Sequence, residues 1–152
     1  MTTAAAAVVV VTWLATAQFT DFKMRCSTDG AGAERLQAEL TSFIEKQAAP
    51  HLRAPGSLEI TVVDVDMAGE FEPWRGPQFC DTRVMRESYA PRIRLRFRLM
   101  DGAGHVVKSG ERELADALYL MKSRTVAQSD PLRYEKQLLR DWIRSEPGAR
   151  SR

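Results

Sequence analysis

The residues that most often carry chemistry are scarce in this chain. It has only two cysteines and two histidines in 152 residues. Cys26 and Cys80 stand far apart, with no CxxC spacing and no histidine grouped with either, which argues against a thiolate metal site. His51 and His105 fall in expected turns. Neither joins a nucleophile motif, since Ser109-Gly110-Glu111 is not a Gly-x-Ser-x-Gly elbow and Cys80-Asp81 has no neighbouring histidine. No cofactor motif is present and no cofactor is expected, so a non-enzymatic role is favoured over an enzymatic one.

Long apolar runs are missing as well. None reaches the ~20 residues needed to span a bilayer as a helix, and the chain is not expected to be an integral membrane protein. Residues 4–14 are apolar, but no basic residue precedes them and four consecutive valines, Val8 to Val11, favour a strand over a signal helix. A dominant charge is absent too: 22 Lys and Arg against 20 Asp and Glu leave a net charge of +2. That balance gives no reason to expect nucleic-acid binding. Repeats and low-complexity stretches are also absent.

What the chain does have is the composition of a folded domain, 44% hydrophobic and 28% charged. One globular domain over residues 1–148 is expected, with 149–152 as a mobile tail. Its best-specified stretch is 91–100. Ile93, Leu95, Phe97 and Leu99 alternate with Arg92, Arg94, Arg96 and Arg98, the period of two that a half-buried strand requires. One face needs a covering layer; the other needs water, carboxylates or an anionic partner.

Around it the chain reads in order. Residues 8–14 form a strand apolar on both faces, Val9, Val11 and Trp13 on one and Val8 and Val10 on the other, which suits an interior position. Phe19 and Phe22 pin the following loop. A helix capped by Asp29 starts near Ala31 and turns Leu36, Leu40, Phe43, Ile44 and Gln47 to one side. Residues 58–65 form a strand whose alternation breaks at Val63 and Val65, which suggests a bulge or a strand end covered on both faces. The helix between these two strands allows a parallel crossover. Residues 64–77 are a long loop with Phe71, Trp74 and Phe79 as apolar anchors, and 81–89 is a short edge strand.

A hairpin turn at 101–104 then pairs the arginine strand with 106–114. The register that matches charges sets Arg92 by Glu113, Arg94 by Glu111, Arg96 by Ser109, Arg98 by Val107 and Met100 by His105. It also leaves Lys108 and Arg112 on the apolar face, so a slip by a bulge stays open. Residues 116–121 extend the strand or make a short helix. Asp130 and Pro131 open a last helix with Leu138, Leu139, Trp142 and Ile143 on one face, ended by Pro147-Gly148. The sum is an α+β fold: a two-layer α/β sandwich, order β-α-β-[β]-β-β-α, with a mixed four- to five-stranded sheet and two helices on one face.

Several pieces run in an order that resembles a bacterial family of unknown function, domain-of-unknown-function family 3016. They are Val9, Val11 and Trp13; Phe19-Thr-Asp21; Asp64-Val-Asp-Met-Ala-Gly-Glu70; Pro91-Arg-Ile; Ser109-Gly-Glu; Tyr134-Glu-Lys; and Asp141-Trp142. The resemblance implies compartment more than chemistry. Such proteins are generally small and exported, with a secretion signal, so a periplasmic or secreted location is expected, with the signal peptide outside this sequence. On the residues alone, Cys26 and Cys80 are equally compatible with two free thiols and with a disulfide. The resemblance favours the disulfide, since oxidising compartments keep such bonds.

Three candidate surfaces follow. Arg92, Arg94, Arg96 and Arg98 could take an anionic ligand, because guanidinium forks suit phosphate, or could simply be a solvated face. Trp74 joins them as a partner surface if its loop leaves it exposed. Asp64, Asp66 and Glu70 begin like an EF-hand, but Ala68 and Arg75 stand where oxygen ligands are needed. The structural reading has Asp64 or Asp66 accepting backbone N–H groups and Gly69 supplying a positive-φ turn. The leading expectation is thus a small exported binding or scaffolding domain of the cell envelope. Its rivals are a metal-dependent protein centred on the Asp64, Asp66 and Glu70 loop, and a module that self-associates through an unpaired sheet edge. The partner and the oligomeric state are open.

Overall fold

The computed structural model describes residues 6–24, 32–121 and 129–146. The elements are β1 (Val8–Trp13), α1 (Ala33–Ala48), β2 (Ser57–Asp66), β3 (Glu70–Phe71), β4 (Arg83–Val84), β5 (Arg92–Met100), β6 (Val106–Ala115) and α2 (Arg133–Ser145). The main sheet has the order β1-β2-β5-β6, with β1 parallel to β2 and the other pairs antiparallel. It is the expected α+β sandwich with a mixed four-stranded sheet under two helices.

The arginine strand sets the layers. Ile93, Leu95 and Phe97 are buried, whereas Arg92, Arg94, Arg96 and Arg98 are exposed. Burying each apolar side chain stabilises by about 1.5–3 kcal/mol. An exposed ion pair contributes about 0–1 kcal/mol, so the apolar row decides which way the strand faces. On the helix side the row meets Leu58, Ile60, Val62 and Val65 of β2, Leu36, Leu40 and Ile44 of α1, and Leu138, Leu139, Trp142 and Ile143 of α2. Phe97 and Trp142 meet edge to face, with ring centroids 5.4 Å apart. The bulge in β2 falls between Val62 and Asp64. It returns Val65 to the core and turns Asp64 and Asp66 to the arginine face.

Several expectations are corrected. β1 is an edge strand, because the inner side of β2 is taken by β5, and no layer covers the face of Val8 and Val10, which are exposed at 51% and 46%. Residues 81–89 supply no edge strand to the main sheet. Only Arg83 and Val84 are extended, and they pair with β3 in a separate two-stranded ribbon. In the hairpin, Arg94 lies opposite Glu113, Arg96 opposite Glu111 and Arg98 opposite Ser109, two residues from the expected register. The turn supplies one residue of that offset, since Met100 faces Val106, and an irregularity between Leu99 and Met100 supplies the other. Because the offset is even, every side chain keeps its face. Residues 116–121 are turns, neither strand nor helix.

The helix starts differ in detail. Gly32, with φ of 96°, is the N-cap of α1, and Asp29 lies outside the described residues. The N-cap of α2 is Leu132, without a side-chain cap bond, and not the expected Asp130, which accepts the Leu132 N–H at 2.8 Å in the turn just before the helix. Asp141 accepts the Gln137 amide at 3.0 Å one turn back. Lys108 and Arg112 do sit on the helix side of β6, and their cost is met by Glu146 at the end of α2. Lys108 lies 3.7 Å from it, and the Arg112 Nε donates to it at 2.7 and 3.0 Å. The tail 149–152 and Pro147-Gly148 lie outside the described residues.

Candidate functional site

Most of the polar architecture collects at one end of the sheet, beyond the last residues of β1 and β2. Leaving β1, the chain makes a 3-10 turn at Thr16–Gln18 and then buries Phe19 and Phe22. Both rings pack near Trp13, at centroid distances of 6.2 and 5.5 Å. Thr20 and Asp21 are fixed between them. Asp64 accepts the Thr20 N–H at 2.7 Å and its hydroxyl at 2.6 Å. Asp21 N–H donates to the Val65 carbonyl and Met67 N–H to the Asp21 carbonyl, so this loop continues the ladder of β2.

Arg83 closes the arrangement from the β4 side. Its guanidinium donates to both Asp21 carboxylate oxygens at 2.7 and 3.2 Å, to the Gly69 carbonyl at 3.0 Å and to the Lys23 carbonyl at 2.9 Å. It also lies 4.5 Å from the Phe71 ring centre. Asp66 is left among carboxylates. Burial first, then the charges of Asp21, Glu70 and Asp64, push its carboxyl up to about 6, against the opposing pull of Arg92. A polar cleft of about 250 Å³ opens here, lined by Thr20, Asp64, Asp66, Arg92, Arg94 and Glu113.

Two buried carboxylates brace the neighbouring loops. Glu135 on α2 is fully enclosed and accepts the Ala68 N–H at 2.9 Å, tying the helix to the chain after β2. Burial pushes it up to about 7. Glu72 accepts from Arg86 Nε at 3.1 Å and Nη2 at 3.0 Å, and from the Tyr89 hydroxyl at 2.7 Å; Arg75 lies 3.5 Å away. The Arg86 and Tyr89 hydrogen bonds hold its carboxyl down at about 2. Tyr119 in turn donates to the Arg86 carbonyl at 2.6 Å, which attaches residues 116–121 to the same cluster.

Trp74 stands on this brace. Its segment is a 3-10 turn, Pro73–Arg75, followed by Gly76 at φ of 125° and a second turn, Pro77–Phe79. The indole is 71% exposed, which corrects its expected part as an apolar anchor. The buried position beside it is occupied by Glu72, and a proline on each side of the turn restricts the backbone. Leu118 and Met121 are also exposed large apolar side chains at this end of the sheet.

The arginine row is compensated throughout. Arg92 lies 3.3 Å from Glu113, Arg94 4.0 Å and Arg96 3.6 Å from Glu111, and Arg98 3.8 Å from Glu59. Asp64 and Asp66 add two carboxylates opposite Arg94 and Arg92. This face therefore alternates in sign and is not a bare cationic stripe. Of the proposed metal ligands, Asp64 is engaged by Thr20, and among the described residues no three His, Cys, Asp or Glu side chains converge as a metal site would need. Gly69, at φ of 76°, makes the expected positive-φ turn. Cys80 is not a free thiol, while Cys26 lies outside the described residues, so their pairing stays a proposal.

Sequence reasoning missed Glu72, Glu135, Arg83 and Arg86. For Glu135 a signal existed, because it shares the 135, 138, 142 spacing of the buried face of α2. A carboxylate on that face needs a buried donor. Glu72 gave none, since its partners are 14 and 17 residues away across an irregular loop. No helix among the described residues is long and apolar enough to cross a membrane. Comparison with curated proteins and with solved structures found no match. The model of one family matches residues 7–145, which take in every strand and helix described above. The chain belongs to that family, described as "Protein of unknown function (DUF3016)".

Proposed function

We propose that this is an exported, non-enzymatic domain that binds or scaffolds a component of the cell envelope, and that it does so through the loop bearing Trp74. The observation that carries the reading is a 71% exposed tryptophan whose turn is braced from beneath by Glu72, Arg86 and Tyr89. The backbone that presents this indole is braced before binding. Tryptophan anchors of that kind dominate interface energetics, and preorganisation removes an ordering cost of about 0.5–1.5 kcal/mol per side chain. The periplasmic location rests on the family resemblance and on a cysteine that is not free. The arginine face supports the reading less, because each guanidinium already has a carboxylate within 4.0 Å.

The test is photo-crosslinking in intact cells with a benzophenone amino acid at position 74, and at the exposed position 39 as control. Discrete adducts at 74, reduced when Glu72→Gln loosens the brace, support the proposal. Equal labelling at both positions contradicts it.

A further inference from the structure

The two edges of the sheet are protected unequally. β6 carries Lys108, Glu111, Arg112 and Glu113, the charges by which edge strands avoid pairing with other chains. β1 carries no charge, proline or glycine along Val8–Trp13. Its open side can be identified. Val8 N–H donates to the Gly56 carbonyl and Leu14 N–H to the Val62 carbonyl, both at 3.1 Å, so the even-numbered residues bond towards β2. Val9, Val11 and Trp13 direct their amides and carbonyls outward, where nothing among the described residues pairs with them.

We propose that this edge receives β1 of a second copy, antiparallel, about a two-fold axis at Val11. That register makes Val11 face its own counterpart and Val9 face Trp13, so that all the outward backbone groups become hydrogen-bonded pairs. It also sets Val8 opposite Leu14 and Val10 opposite Thr12 on the solvent face. Val8, Val10 and Leu14 are the exposed apolar side chains of this strand and its end, at 51%, 46% and 42%. The edge is thus complementary to itself in backbone and side chains.

The helix layer permits the approach. Thr41 of α1 accepts the Trp13 indole N–H at 2.8 Å, which locates the flank of α1 above this edge. The groove there is lined by Ala38, Thr41 and Ser42 between Glu34 and Glu45. A strand of six residues is ~20 Å long and a sixteen-residue helix ~24 Å, and each layer is ~10 Å deep. Abutting both layers buries roughly 1,000 Å² in total, at the lower bound for a specific interface. The pairing is accordingly weak and concentration-dependent, and salt firms it by screening Glu34 from Glu45 of the other copy. The two Trp74 loops end up at opposite ends of a continuous sheet.

Sedimentation equilibrium from low to high micromolar protein tests this. The mass is expected to rise from one copy to two, and Val10→Lys to raise the dissociation constant about tenfold or more, while Val107→Lys on the other edge leaves it unchanged. Amides of Val9, Val11 and Trp13 should gain exchange protection as concentration rises, and this readout decides the matter should Val10→Lys fail to fold. A single-copy mass at every concentration overturns the proposal. So does a dimer that a folded Val10→Lys chain still forms, or edge amides whose exchange ignores concentration.

Discussion

Glu135 is the residue at which burial and charge oppose each other most directly. Unfolded, its carboxyl ionises near 4.5; folded, burial pushes it up to about 7. Between those values the folded chain keeps a proton that the unfolded chain releases. Stability contributed by this group is therefore complete below pH 4.5 and declines as pH rises towards 7, by on the order of 3 kcal/mol. Glu135→Gln keeps an oxygen for the Ala68 N–H and removes the titration. Urea unfolding between about pH 5 and 8 should show a steeper decline in the parent than in the variant; equal slopes would contradict the assignment. Asp66, raised to about 6, adds a decline of the same sign at lower pH. Glu72 has the opposite sign, since its carboxyl is held down at about 2. Its contribution is present above the unfolded value and lost as pH falls through the folded one. Thermal unfolding at neutral pH should place Glu72→Gln several degrees below the parent. Neither residue was singled out from sequence. Helical spacing places Glu135 on a buried face without naming Ala68, and no spacing rule links Glu72 to Arg86 across a loop.

At the level of the element, β5 separates strong from weak contributions within one strand. Phe97→Ala should cost about 3–5 kcal/mol, because it empties a packed site against Trp142. Arg96→Ala, which removes an exposed ion pair with Glu111, should cost under about 1 kcal/mol. Comparable losses from chemical denaturation of the two variants would refute the assignment of faces. Gly69→Ala probes the turn after β2. Its φ is positive, and an added Cβ would meet the Val84 carbonyl at 2.7 Å. A loss of about 1–3 kcal/mol is expected. The strand pattern, the bulge at Val63 and the faces of both helices were legible because each is a local period imposed by a single core. The place of β1 and the hairpin register were not. Both depend on which neighbour takes an edge and on an irregularity beside a loop, and alternation is indifferent to an even offset.

For the whole molecule, the oxidising compartment and the metal-dependent rival are open to direct measurement. Protein unfolded without reductant, after purification from an oxidising compartment, should yield no free thiol, and two after reduction, one for each cysteine of the chain. Two thiols without reductant would refute the proposed Cys26–Cys80 bond. Titration calorimetry with Ca²⁺, Mg²⁺, Mn²⁺ and Zn²⁺ should be silent, in keeping with the engagement of Asp64 by Thr20. Stoichiometric heat abolished by Asp66→Asn would favour the rival. The segments that carried the family resemblance, Phe19-Thr-Asp21, Asp64 to Glu70 and Tyr134-Glu-Lys, meet at one end of the fold through Thr20, Asp21, Ala68 and Glu135. Their order along the chain could not reveal that meeting, because it is made by backbone donors, the Thr20 hydroxyl and Arg83.

The braced indole is the claim on which the binding role depends, and relaxation of the backbone amide of Trp74 measures it most directly. A braced turn gives an order parameter near the ~0.85 of rigid backbone, together with a Trp74 indole proton that exchanges faster than those of Trp13 and Trp142. An order parameter below ~0.6, or an indole as protected as those of Trp13 and Trp142, which donate to Thr41 and Glu146, would contradict it.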